Sequence, residues 1–182
     1  MSSEQTSPSL PGAAGEDLFN YAVDREDIKW LVETVFQSEQ TAANTVEYEL
    51  QLLKIISVGW SIAYYLEESP LKPQILRSFW EPVQEFATTL SQSTELFTGQ
   101  DFDYFELLKQ RLDTYLQAMG QAPQGTEPVN VIGPAFAELC GNSEDAFASL
   151  VGAKMFGTAL GRVQEYLTES AILSPSDKAP LE

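Results

Sequence analysis

Between Leu50 and Leu66 the chain is apolar almost all the way round a helix, and only Gln51, Lys54, Ser57 and Ser61 interrupt the run, at close to helical spacing. A helix that is apolar over most of its circumference is buried against neighbours on several sides. The stretch therefore predicts the central helix of an all-α domain, with Asn44 or Thr45 as its cap and the Ser69-Pro70 dipeptide near its end.

The remaining apolar positions fall at steps of three and four, the signature of amphipathic helices. Leu18, Phe19, Ala22 and Val23, then Ile28, Leu31, Val32, Val35 and Phe36, predict a helical stretch over residues 16–38, as one helix or as two with Asp24 capping a fresh start. A stripe from Ile75 through Phe79, Val83 and Ala87 to Leu90 predicts a helix over 73–97, kinked or broken near Ser78–Trp80 by Pro82. Asp101 is the expected cap of a helix over 102–119. Residues 120–130, with two Pro and two Gly, read as a loop and the one candidate internal hinge. A short helix is expected from Pro134 to Gly141, then a last helix capped by Ser143 and reaching Leu173. No strand alternation, repeat or sustained heptad is visible. The expected architecture is a single-domain bundle of five or six mostly antiparallel helices around the buried central one, over residues 16–173, with disordered tails at 1–15 and 174–182.

The last helix carries an unusual row. Ser149, Ala153, Gly157 and Gly161 recur every four residues, and such a row of small side chains lets another backbone approach closely. Interior glycines cost about 1 kcal/mol each relative to Ala, so close packing or function must offset them. Three readings follow. The row receives the central helix, whose Gly59 and Ala63 form a matching small pair; or it is a contact surface for another copy or another protein; or the glycines let the helix bend to admit a ligand. On the first, Gly157→Leu destabilises the monomer.

Charge narrows the function classes. The 182 residues hold 27 Asp and Glu against 10 Lys and Arg, a formal net charge of −17. No basic cluster is present to neutralise phosphates, so nucleic-acid binding through a basic surface is not expected, and an anionic membrane surface repels such a chain. The 50–66 run holds 17 residues including Lys54 and Gln51, short for a membrane span of about 20 apolar residues.

Chemistry narrows them further. The chain has no histidine and one cysteine, Cys140. Histidine-based nucleophile systems, thiolate and histidine zinc sites and an internal disulfide are thereby removed. No phosphate-loop motif occurs. Carboxylates at Glu81 and Glu85, at Glu165 and Glu169, and at Asp101, Asp103 and Glu106 are candidates for acid–base work or hard-cation binding, against the simpler reading of caps and solvated faces. Cys140 is expected at a helix C-terminus, as a small buried thiol. Trp60, Tyr64 and Trp80 are candidate pocket aromatics, or core.

The leading expectation is a non-catalytic, acidic interaction module, an adaptor, chaperone-like or regulatory subunit, with a protein partner of basic character or a second copy of itself. No cofactor is implied. The alternative is a small-molecule-binding protein or enzyme with an aromatic-lined site between helices. A cytoplasmic location is expected, since the N-terminal residues show neither a basic stretch nor an apolar one of the kind a secretory signal needs.

Overall fold

The computed structural model describes residues 10–173. They form α1 (Leu10–Val23), α2 (Glu26–Trp30), which runs on into one π-helical turn (Leu31–Val35), α3 (Ala43–Tyr65), α4 (Lys72–Thr98), α5 (Tyr104–Gln121), α6 (Pro128–Leu139) and α7 (Ala146–Glu169). No strand occurs among the described residues, and none of their helices is long and apolar enough to cross a membrane. The expected tails at 1–9 and 174–182 lie outside the described residues.

The centre is α3. Every residue from Leu50 to Gly59 is buried, and α1, α4, α5, α6 and α7 all pack on it. Its polar interruptions are each satisfied within the chain. Ser57 Oγ donates to the Leu53 carbonyl and Ser61 Oγ to the Ser57 carbonyl, both at 2.6 Å. Gln51 Nε2 donates to the Ala22 carbonyl at 3.0 Å, and Lys54 Nζ to the Asp24 carbonyl at 2.9 Å. Glu49 takes Arg111 in a two-pronged pair at 2.7 and 2.9 Å. A buried polar group left unpaired costs about 1–3 kcal/mol, so these partners make the central position tenable.

Several boundaries differ from the expectation, each for a physical reason. The first helix begins at Leu10 and not near residue 16. Ala14 and Gly15 are buried, and a Cβ on Gly15 would lie 2.7 Å from the Ser78 backbone and 2.8 Å from the Ile75 carbonyl oxygen. This turn packs through small residues and so leaves no bulky apolar periodicity to read. The 16–38 stretch is two helices, and Asp24 Oδ1 accepts the Glu26 N–H at 3.0 Å where the second starts. α3 has no side-chain cap, and α4 continues through Pro82 without a break.

Asp103, not Asp101, caps α5, accepting the Glu106 N–H at 2.9 Å. Buried Tyr104 fixes this start, its N–H donating to Ser91 Oγ at 2.9 Å and its ring edge-on to Phe86 and Phe102. α6 begins at Pro128, well inside the expected loop, with that proline in its first turn, where the missing N–H costs nothing.

Asp145, not Ser143, caps α7, and it does more than cap. Oδ1 accepts the N–H groups of Phe147 and Ala148, while Oδ2 accepts the hydroxyls of Ser38 and Thr41 at 2.6 and 2.7 Å. One buried carboxylate thus ties the segment before α3 to the start of α7. Burial alone would raise its pKa, but the Ser38, Thr41 and backbone hydrogen bonds outweigh that and hold it below the ordinary carboxylate value. A depressed folded pKa gives stability that is present above the unfolded value of about 3.9 and lost as the pH falls through the folded one. Asp145→Asn is expected to lower stability by about 1–3 kcal/mol at neutral pH. Melting temperatures taken across the acid range check this: the gap between wild type and variant narrows as the pH falls below the unfolded value and closes below the depressed folded one.

Candidate functional site

The C-terminal half of α7 separates two concave surfaces. On one side lies a cavity of about 360 Å³ between the end of α1, the start of α2 and the last turns of α7. Asp17, Asp24, Glu26 and Asp27 face Glu165 and Glu169 across it, with Arg162 the one cation on its wall. Helical spacing brings these groups to one face: Asp17, Tyr21 and Asp24 follow in steps of four and three, and Arg162, Glu165 and Glu169 in steps of three and four.

The floor is fixed from the core. Lys54 is fully buried, with Nζ 3.2 Å from Asp27 Oδ2 and 4.3 Å from the centre of the Tyr21 ring. The Asp24 carbonyl that it also holds lies just past the end of α1, where unpaired carbonyls and the helix dipole favour a cation. Across the cavity Tyr166 donates its hydroxyl to Asp17 Oδ2 at 2.6 Å, and Arg162 pairs with Glu165 at 3.2 Å. Burial and the Asp17 hydrogen bond push the Tyr166 phenol up to about 12. Burial, reinforced by Asp27, raises Tyr21 as well. Its hydroxyl is buried without a hydrogen-bond partner of good geometry. Both phenols stay protonated at neutral pH, and Tyr166 serves as a donor.

Six carboxylates therefore meet two cations, Arg162 and Lys54. Among the described residues Asp24, Glu26 and Glu169 form no ion pair. No group of three or more carboxylate or thiol side chains among them is placed to hold a metal ion. Carboxylates in such an arrangement are acceptors for charge-assisted hydrogen bonds from ammonium or guanidinium groups.

On the other side of α7 an apolar groove of about 220 Å³ runs between it and the start of α6. Tyr65, Pro128, Val129, Phe156 and Leu160 line it, together with Gly157 and Gly161. The small-residue row thus divides into two halves. Ser149 and Ala153 receive Gly133 of α6, where an added Cβ would lie 2.7 Å from the Ser149 carbonyl oxygen and 3.2 Å from the Ala153 Cβ. Gly157 and Gly161 are exposed, with only Val129 Cγ2 within 4.0 Å of a Cβ on Gly157 and nothing within 4 Å of one on Gly161.

The row does not receive the central helix, which corrects the first of the three readings. Gly59 instead seats the Trp80 ring from α4, and α7, which packs on α3, meets it where the Phe156 ring leans on Trp60.

The aromatic candidates are not gathered at either surface. Trp60 stacks on Tyr64 at 5.0 Å and leans on Phe156 at 5.5 Å, while Trp80 packs edge-on to Phe79 at 5.0 Å. Cys140 is buried at the end of α6, and burial, with Glu49 and Asp145 adding to it, raises its thiol to about 12, so it is protonated and unreactive at neutral pH. Of the carboxylate pairs, Glu165 and Glu169 belong to the acidic cavity. Glu81 and Glu85 line a separate cavity of about 400 Å³ against α1, and Glu106 pairs with Lys109 at 3.0 Å.

Comparison of the chain with protein-family models, curated proteins and solved structures finds no match. The site is therefore read from its own chemistry.

The geometry makes Lys54 and the α7 glycines open to direct test. Lys54→Met leaves the Asp24 carbonyl unpaired but lets Asp27, which is partly exposed, turn to water. The expected cost is about 1–3 kcal/mol in urea denaturation, below the ~3–5 kcal/mol of a pair whose partner is stranded inside. Gly152 and Gly161 should respond in opposite directions. A Cβ on Gly152 would lie 2.6 Å from the Phe136 Cβ, so Gly152→Ala is expected to cost about 1–3 kcal/mol through overpacking. Gly161→Ala meets nothing and is expected to stabilise by up to about 1 kcal/mol.

Proposed function

We propose that this protein is a non-catalytic acidic interaction module whose cavity between α1, α2 and α7 takes a Lys or Arg side chain of a basic protein partner. The observation that carries the reading is the imbalance within one cavity: six carboxylates, two cations, and four of the carboxylates without an ion pair, of which Asp17 alone accepts the Tyr166 hydroxyl. The net charge of −17 extends the same bias over the surface and steers a basic partner toward it. Absence of histidine and protonation of the lone thiol argue against histidine- or thiolate-based nucleophilic chemistry at neutral pH. A buried, unpaired cysteine suits a reducing compartment and a cytoplasmic setting.

A second reading has one observation in its favour. The cavity, about 360 Å³, falls within the ~300–1,000 Å³ range of small-molecule sites, so a small organic diamine is the competing ligand class.

The test is calorimetric titration with a hexalysine peptide and, separately, with a short aliphatic diamine. Binding of the peptide is expected at about 0.1 M salt and should weaken at least about tenfold at about 1 M, where the screening length drops from about 10 to about 3 Å. The double variant Asp24→Asn, Glu169→Gln removes two of the unpaired charges at exposed positions, and the amide introduced at position 24 keeps an oxygen for the Glu26 N–H. It should weaken the peptide by a comparable factor. Salt-insensitive binding, or binding that the double variant leaves unchanged, overturns the reading. Tighter binding of the diamine than of the peptide transfers it to the small-molecule alternative.

A further inference from the structure

The groove and the acidic cavity are neighbours on one helix. At 3.6 residues per turn, Gly157, Leu160 and Gln164 lie on one side of Gly161, and Arg162, Glu165 and Glu169 on the other. The first three line the apolar groove and the last three line the acidic cavity. Gly161 is the ridge between them. It is exposed, no side chain rises from it, and among the described residues no other element comes within 4 Å of where one would begin.

An exposed glycine inside a helix costs about 1 kcal/mol against Ala, and Gly157 and Gly161 bear this twice, four residues apart. Other helical glycines are matched by close neighbours, Gly59 by Trp80, Gly133 by Ser149 and Gly152 by Phe136, while Gly120 in the last turn of α5 is open. At Gly157 and Gly161 the described residues supply no close neighbour. The groove, at about 220 Å³, falls below the usual range of small-molecule sites and has the size of side-chain pockets.

Resting on the reading of the acidic cavity given above, we propose that the partner's binding segment is a basic amphipathic helix that crosses α7 over Gly157 and Gly161. Its apolar side chains enter the α6–α7 groove and its Lys or Arg side chains enter the acidic cavity. A helix is the fitting form. The described residues present no strand and hence no sheet edge to extend, whereas a smooth strip between two depressions seats a helix at close approach. Charge complementarity sets the sign of the segment, and it disfavours a second copy, because two chains of net charge −17 repel.

The probe is a synthetic peptide of about 18 residues, some five helical turns, with Leu at helical spacing on one face and Lys elsewhere. A scrambled peptide of the same composition, without an apolar face, is the control. Both are titrated against wild type, Gly161→Leu and the Asp24→Asn, Glu169→Gln variant, with circular dichroism and melting temperature as checks of folding. The amphipathic peptide is expected to bind wild type at least about tenfold tighter than the scrambled one, a difference of about 1.4 kcal/mol. Gly161→Leu should abolish that preference while leaving the melting temperature unchanged or raised, and it should leave hexalysine binding intact. Equal binding of the two peptides to wild type, or a preference that survives Gly161→Leu, overturns the helix-crossing inference and spares the acidic-cavity reading. If the carboxylate variant also leaves every peptide unaffected, both fall.

Discussion

A single fully buried ammonium joins the core of this protein to its candidate site. Lys54 stands on α3 inside the run of buried residues, and it points out of the core to the junction between α1 and α2. Removing an ion from water costs several kcal/mol unless its donors are met, and here they are met by the Asp24 carbonyl, the Asp27 carboxylate and the face of Tyr21. Gln51, almost one turn earlier, holds the Ala22 carbonyl in the same way. Two polar side chains of the central helix therefore terminate α1. Because Asp24, Asp27 and Tyr21 also line the acidic cavity, the site inherits its geometry from the core.

Small residues set how closely the other helices approach. α1 reaches α4 through Gly15, α6 reaches α7 through Gly133 and Gly152, and Gly59 leaves room for Trp80. Each is a place where a methyl group would force backbone or ring to move, and the tight fit offsets the helix penalty of glycine. The same residue type therefore has two meanings on α7. Gly152 is held from outside by Phe136, while Gly157 and Gly161, further along the helix, face open space. The helix changes there from a packed element to an exposed ridge.

That division also marks how far the fold was legible. The central helix was visible because bulky apolar residues filled its whole circumference, and its four polar interruptions were visible too. Their partners were not, since Ala22 and Asp24 are chosen by tertiary packing. Helix starts were misplaced where the first turn packs through small residues or proline, at 10–15 and 128–133, because hydrophobic periodicity registers bulk and not closeness. Caps slipped by two residues at Asp103 and Asp145, each beside another acidic or polar residue that local rules favour as well. The acidic cavity could not be read at all as a unit. Its parts showed only as the Asp24 cap and as the Glu165 and Glu169 pair, and Tyr166 meets Asp17 across 149 positions of sequence. The small-residue row was legible as unusual, but only the position of α6 decides which half is filled.

Scarcity of positive charge gives the site its character. Only 10 Lys and Arg stand against 27 acids, and the best-buried of them are committed to the fold. Lys54 holds the α1–α2 junction and Arg111 pairs with buried Glu49 to tie α5 to α3. Arg25 pairs with Glu47 at the surface, and Arg162 is already engaged with Glu165 on the cavity wall. Moving any of these to neutralise Asp24, Glu26 or Glu169 would uncover a carboxylate elsewhere, and for Glu49 that carboxylate is inside the core. These four cations therefore cannot be drawn into the cavity without giving up pairs they already hold. On the proposed reading a cation brought by a partner carries no such cost, and the Gly157–Gly161 ridge beside the cavity is where the backbone carrying it would lie.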